Sequence, residues 1–227
     1  MRKVVVRCRV ICVLSLFMCL AASGAYGARV AEQPEQAIPF SQVFVLSPYI
    51  IYEDARNEQN LQKADPASQL IFDDVSAKWS ADALSMVGLE QIGPNSLTAG
   101  QTDSIKEPYD ILQKGAEDLI KQWKDKGSYL DAFRAIRDNS GSDCLLVQFI
   151  KVKVGDPGGW DFVCTGRVTP TTSSTTVKLA LIDLNTGKIW WSNAAIEHYM
   201  PDKNNIERLY KTIYDGFPGY KAKKARR

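Results

Sequence analysis

The chain has one histidine, His198, beside Tyr199, and any Ser-His-Asp or Cys-His relay would have to be built on it. No G-x-S-x-G or comparable nucleophile setting accompanies it, so the position reads as an edge or surface histidine. Paired acids occur at Glu53-Asp54 and Asp73-Asp74. Acid–base cleavage of a polysaccharide needs two carboxylates about 5–10 Å apart across a cleft. Neighbours on a helix diverge by about 100°, so Asp73-Asp74 reads as one solvated face. Asp183-x-Asn185-x-Gly187 begins like a calcium loop but lacks its remaining ligands and closing Glu, and reads as a strand turn. GDPGG, 155–159, has glycines enough to wrap a phosphate, yet no Lys or helix start follows as a phosphate loop requires. It reads as a hairpin turn. These sets point to no catalytic residue, no metal and no cofactor.

The elements that must position these residues follow a basic leader. Arg2, Lys3, Arg7 and Arg9 precede a run from Ile11 to Ala22 that is nearly all apolar, and Ala25-Tyr26-Gly27 offers small residues for cleavage before Ala28. Residues 1–27 thus read as a signal peptide, and the expected location is the periplasm or cell envelope. A lipid anchor at Cys19 is the alternative, but Leu16-Phe17-Met18 before it puts a large side chain where a small one is usual. No later stretch approaches the ~20 apolar residues of a membrane helix.

Without the leader's four positive charges the formal +2 becomes −2, and the five positives of the tail, Lys221, Lys223, Lys224, Arg226 and Arg227, leave a body of −7. That balance argues against a nucleic-acid partner, which calls for basic residues over a whole face. The tail is a candidate contact for anionic lipid, lipopolysaccharide or wall polymer. Cys144 and Cys164 are the cysteines left after export, a candidate disulfide in an oxidising compartment. A hairpin about GDPGG would instead put Cys164 opposite Ile150, with Cys144 six residues along, ~20 Å away at ~3.3 Å per residue.

Residues 28–41 read as a linker, 42–218 as a single α/β domain, and 219–227 as the basic tail. QVFVLSPYI, 42–50, reads as the first strand, followed by an acidic loop. Asp65-Pro66 opens a long helix along Leu70, Ile71, Val75, Trp79, Ala83 and Met86. GLEQIG, 88–93, is a short strand. A helix along Leu112, Ala116, Leu119, Ile120 and Trp123 closes at Gly127, and Ser128 with Asp131 resembles a capping box for a third helix through Phe133 and Ile136. From Asp143 the period turns to two, and 144–154, 160–168, 176–184 and 188–199 read as consecutive strands of an antiparallel meander. A final helix carries Ile206, Leu209, Tyr210, Ile213 and Phe217 before Pro218-Gly219. The expected architecture is a mixed sheet with a C-terminal antiparallel meander and helices packed on it.

Trp190 and Trp191 are adjacent on the last strand, and successive side chains on a strand point to opposite faces. Each face of the sheet is therefore expected to receive one indole, under covering helices. Where a face is bare, Ile189, Trp190, Trp191, His198 and Tyr199 form a candidate partner surface, since Trp is enriched at binding hot spots.

The residues Ser142-Asp143, the strand Cys144–Val154, the run Leu179–Ser192 with its L-x-L-I-D-x-x-T-G-x-I-x-W-S order, and the helix Ile206–Pro218 resemble the periplasmic lipoprotein-type α/β domains. These include the peptidoglycan-synthase activator lipoprotein, the curli secretion lipoprotein and the N-terminal domain of the Tol-Pal propeller protein. The resemblance covers the last eighty or so residues and implies an accessory or assembly protein of the bacterial envelope rather than a catalyst. The expectation is thus a non-catalytic, exported binding module with a protein partner. Its rivals are an exported hydrolase of wall or surface polymers using carboxylates, and a small-ligand sensor with a pocket among Trp79, Trp123 and Trp160.

Overall fold

A computed structural model describes residues 38–54, 57–63, 66–122, 124–154, 160–162, 168–170, 174–198 and 203–220. Its centre is strand β5, Cys144–Val154, which buries Cys144, Leu146, Ile150 and Val152 on one face and Leu145, Val147 and Phe149 on the other. A strand apolar on both faces belongs inside a sheet covered on both sides. On one flank it pairs in parallel with β1, Gln42–Val45, and β2, Tyr49–Asp54. Beyond them lie β4, Glu90–Ile92, parallel to β1, and β3, Asn57–Lys63, antiparallel to β2. On the other flank β8, Ser174–Asp183, and β9, Ile189–Glu197, follow antiparallel in turn. The sheet is mixed, and the domain is α/β.

The expected first strand is two. Val45 pairs with Leu146 and Tyr49 with Phe149, so Leu46, Ser47 and Pro48 span the gap opposite Val147 and Gln148 alone. Pro48 has no N–H for the ladder, and a bulge is where a strand tolerates that. Side chains satisfy the loosened backbone: Tyr109 accepts from the Ser47 N–H at 2.9 Å, while Gln113 donates to Ser47 O at 3.2 Å and Gln148 to Leu46 O at 3.1 Å. The chain then continues through β2 into β3 instead of an acidic loop. β3 is polar and carries no apolar alternation, so period gives no warning of it.

Helices α1, Pro66–Met86, and α5, Lys203–Tyr214, pack on one face of the sheet. Helices α2, Ala99–Lys114, α3, Ala116–Ile120, and α4, Leu130–Ser140, pack on the other. The α5 stripe is buried as its spacing predicts, with Tyr214 added. On α1 the buried face is instead Phe72, Val75, Ser76, Ser80, Ala83 and Leu84, while Leu70, Ile71 and Met86 are exposed. Two serines occupy core positions because tyrosines of α5 meet them: Ser80 Oγ lies 2.9 Å from Tyr214 Oη. A hydrophobic count cannot register such a pair.

The second helix begins earlier than expected. Thr98 accepts from the Gln101 N–H at 3.4 Å and Gln101 accepts from the Thr98 N–H at 3.0 Å, a capping box. The helix then runs through Pro108 and breaks at Gly115, where a Cβ would lie 2.5 Å from the Tyr129 ring. A short 3-10 turn, Gly127–Tyr129, leads into α4, and no side chain caps that helix. Ser128 and Asp131 therefore do not form the expected box.

The meander has three strands in its ladder, β5, β8 and β9. The segment expected as its second strand contributes β6, Trp160–Phe162, which among the described residues pairs with β7, Val168–Pro170, in a separate two-stranded ladder. Ile150 therefore faces Val177, not Cys164. Cys144 is a free, buried thiol, and Cys164 lies outside the described residues.

Candidate interaction surface

The two tryptophans do not divide between the faces. Leu181 pairs with Trp191 and Ile182 with Ile189, so Trp190 is the extra residue of a bulge. A bulge suspends the two-residue alternation, and both indoles end against the core under α1 and α5. Trp191 is 3% exposed, donates its Nε1–H to Gly216 O at 3.1 Å, stacks on Tyr214 and meets Phe217 edge-on at 4.7 Å. Trp190 is half-buried and edge-on to Phe40 at 6.0 Å. Ile189 packs against the opposite core.

Past the bulge the alternation resumes. Asn193 and Glu197 turn towards α5, where Asn193 donates to Ile213 O at 2.9 Å and Glu197 receives two bonds from Arg208, at 2.8 and 2.9 Å. Ala194, Ile196 and His198 turn the other way and are exposed, Ile196 to 55%. Among the described residues the apolar core under α2–α4 ends on this face at Phe149 and Ala180, with Ile51 half-buried and Glu53 buried on the β2 side. From there the register sets Phe149, Lys178 and Ala194 in one row, Lys151, Thr176 and Ile196 in the next, then Lys153 and Ser174. Among the described residues β9 pairs only with β8, and none of them pairs with its outer edge.

Among the described side chains this face sets three lysines, Lys151, Lys153 and Lys178, against one acid, Glu53. Lys178 Nζ sits 5.9 Å from the Phe149 ring centroid, a cation–π distance. Glu53, 5% exposed, lies 2.6 Å from Lys151 and 3.5 Å from Lys153. The hydrogen bond from Lys151 holds its carboxyl below the usual glutamate value, against the opposing pull of burial. Two ammonium groups thus share one carboxylate, and Lys178 adds a third cation.

The remaining expected sites separate. Asp73 accepts from Gln69 at 3.0 Å and burial pushes its carboxyl up, whereas Asp74 faces Lys203 at 3.4 Å, so the pair diverges as helical geometry requires. The Asp183 carboxylate is spent inside its own turn, accepting from the Asn185 N–H and from Thr186 Oγ1 at 2.8 Å each. That closes the DLNTGK stretch as a turn, with Gly187 at φ 69°. Burial pushes the Cys144 thiol up, and its sulfur lies 3.5 Å from Gln42 O. Among the described residues no group of three or more His, Cys, Asp or Glu could hold a metal ion, and no helix is long and apolar enough to cross a membrane. Tyr199, Trp123, GDPGG, the leader and Lys221, Lys223, Lys224, Arg226 and Arg227 lie outside the described residues, and the side chains of Asp54 and Trp160 are not described.

Sequence reasoning did not group Lys151, Lys153, Lys178 and Phe149 with Ile196. Only the register of β5 against β8 brings them together, and a hairpin centred on GDPGG predicts the wrong one.

No protein-family model matches this sequence, and no curated protein matches it. Among solved structures it is similar to lipoprotein GNA1162 from Neisseria meningitidis, at 16% identity over 77% of this chain and 96% of that one, with a TM-score of 0.36. The LpoB C-terminal domain from Salmonella enterica aligns over 72% of this chain and 87% of its own at 8% identity, TM-score 0.35. A PelC dodecamer from Paraburkholderia phytofirmans aligns over 83% and 94% at 12% identity, TM-score 0.38. The likeness is remote, so function has to be argued from this chain's own geometry.

Proposed function

We propose that this chain is a non-catalytic module of the bacterial cell envelope that binds a protein partner along strand β9. The observation that carries the reading is the juxtaposition on one face of the exposed Ala194 and Ile196 with Lys178, Lys151 and Lys153, next to a strand edge that no described strand pairs. An edge offers backbone N–H and C=O groups to an added strand, while pockets and charges on the adjoining face select its side chains. The complementary partner segment is extended, with acidic residues among apolar ones. Residues 1–27 supply the export signal of this reading, and the basic tail adds attraction to anionic envelope polymers.

A photo-crosslinking residue placed at Ile196 in cells tests it. The expected result is one discrete protein adduct, absent when the same residue replaces the exposed Lys106 on α2 and lost on adding Lys178→Glu. Equal labelling from both positions, or an adduct indifferent to Lys178→Glu, would sink the reading. Purified protein that cleaves glycan, ester or peptide bonds, and stops doing so when Glu53 or His198 is replaced, would restore the hydrolase instead.

A further inference from the structure

A second surface lies at the other end of β9, where the loop after α3 meets the β8–β9 turn. A groove of about 500 Å³ opens there, whose lining includes Lys124, Lys126 and Lys188, one acid, Asp125, and Gly187 and Ile189 of the turn. Gly187 lets the turn close on the loop and α4: a Cβ at this left-handed position would stand 3.4 Å from the Phe133 ring and 3.7 Å from Lys126 Cβ.

Lys126 is the unusual member. It is only 9% exposed, and its ammonium donates to Lys121 O at 2.9 Å and to Lys124 O at 3.1 Å. Those bonds use two of its three N–H groups. Among the described residues no carboxylate lies within ion-pair distance of it; the adjacent Asp125 acts on it only through space and accepts from the Gly127 N–H at 3.0 Å. A buried ammonium without a counter-charge is costly, and here burial pulls its proton affinity down. Lys124 and Lys188, both exposed, line the same groove.

We propose that this groove is a binding site for a phosphate group, with Lys126 as the buried anchor and Lys124 and Lys188 closing on the anion from solvent. Lysine acts as a point charge and suits a phosphate oxygen, where a planar carboxylate would favour the arginine fork. The group comes either from a soluble phosphate ester or from an anionic phospholipid headgroup. The site shares Ile189 with the partner-binding strand but does not depend on that reading: Ala194, Ile196 and Lys178 play no part in it.

The test is titration of the mature full chain with inorganic phosphate against sodium chloride of equal ionic strength, followed by amide resonances. The expected result is a saturable shift at Gly127, Gly187 and Lys188, absent with chloride. Lys188→Glu, on an exposed side chain, should weaken it on the order of tenfold or more, equivalent to about 1.4 kcal/mol. Lys126→Met should abolish it, with resonance changes otherwise confined to the 121–127 loop whose carbonyls its ammonium holds. A second arm sediments the same protein with phosphatidylglycerol vesicles. Binding that inorganic phosphate competes away and Lys188→Glu removes assigns the headgroup as source, and its absence beside saturable phosphate binding assigns a soluble ester. Shifts spread evenly over surface lysines, or a response to phosphate unchanged in Lys188→Glu, would overturn the proposal.

Discussion

Tyr210 donates its hydroxyl to the side-chain oxygen of Gln148 at 2.9 Å, in the buried layer between α5 and the sheet. The amide end of the same Gln148 donates to Leu46 O at 3.1 Å, at the bulge that splits the first strand. One glutamine thus ties a helix to an irregular backbone, with both ends satisfied in a region that excludes water. Burial drives the Tyr210 hydroxyl far above its ordinary pKa, so it remains a donor at every physiological pH.

Breaking that tie has a defined cost. Tyr210→Phe leaves the glutamine oxygen without its donor and should destabilise the domain by about 1–3 kcal/mol. Gln148→Leu strands both Leu46 O and the tyrosine hydroxyl and should cost at least as much. The double variant should lose less than the sum of the two, since the residues share one network. Urea unfolding of the four proteins gives the cycle, and strict additivity would mean the bonds act independently.

The adjacent tryptophans should differ sharply. Trp191→Ala removes a ring packed on Tyr214 and Phe217 together with the bond to Gly216 O, at a cost of about 3–5 kcal/mol. Trp190→Ala empties a half-buried site against Phe40 and should cost clearly less. In single-tryptophan variants acrylamide should quench Trp190 and spare Trp191. Equal quenching would contradict the bulge.

Two carboxyls should shape acid stability in opposite directions. The Glu53 value is lowered, so its contribution is present above the ordinary 4.5 and is lost as pH falls through the depressed folded value. The Asp73 value is raised above the ordinary 3.8, so its charge opposes folding at neutral pH and that penalty disappears on acidification. Glu53→Gln should therefore be less stable than the parent at pH 7 and lose less between pH 7 and 3. Asp73→Asn should be more stable at pH 7 and lose more. Denaturant midpoints across that range report both signs.

Cys144 should be silent as a thiol. Its sulfur is buried and burial favours the protonated form, so alkylation of a Cys164→Ser protein without residues 1–27 should be negligible in the folded state and become complete in urea. Rapid native labelling would require the sheet to open at β5.

Much of the architecture is legible in the sequence because burial leaves a periodic trace. The α5 stripe, the apolar β5 and the DLNTGK turn each carry their own local signal, and each needs no distant partner to be recognised. What was not legible depends on pairings between segments far apart in the chain. Ser76 and Ser80 count as core only opposite Tyr210 and Tyr214. Pro48 is tolerated only because Tyr109, Gln113 and Gln148 reach the backbone around it.

The sequence by itself determined that two apolar helix layers must enclose a largely apolar sheet, since such stripes have no other way to leave water. It could not determine register, because a strand's pattern repeats every two residues and several alignments bury the same face. Tertiary structure chose β8 rather than 160–168 as the neighbour of β5. It inserted Trp190 as a bulge and set Lys151, Lys153 and Lys178 beside Ile196. It also closed the β8–β9 turn over Lys126. Both candidate surfaces are products of those long-range contacts, whose geometry is settled by packing rather than by any local preference of the residues that form them.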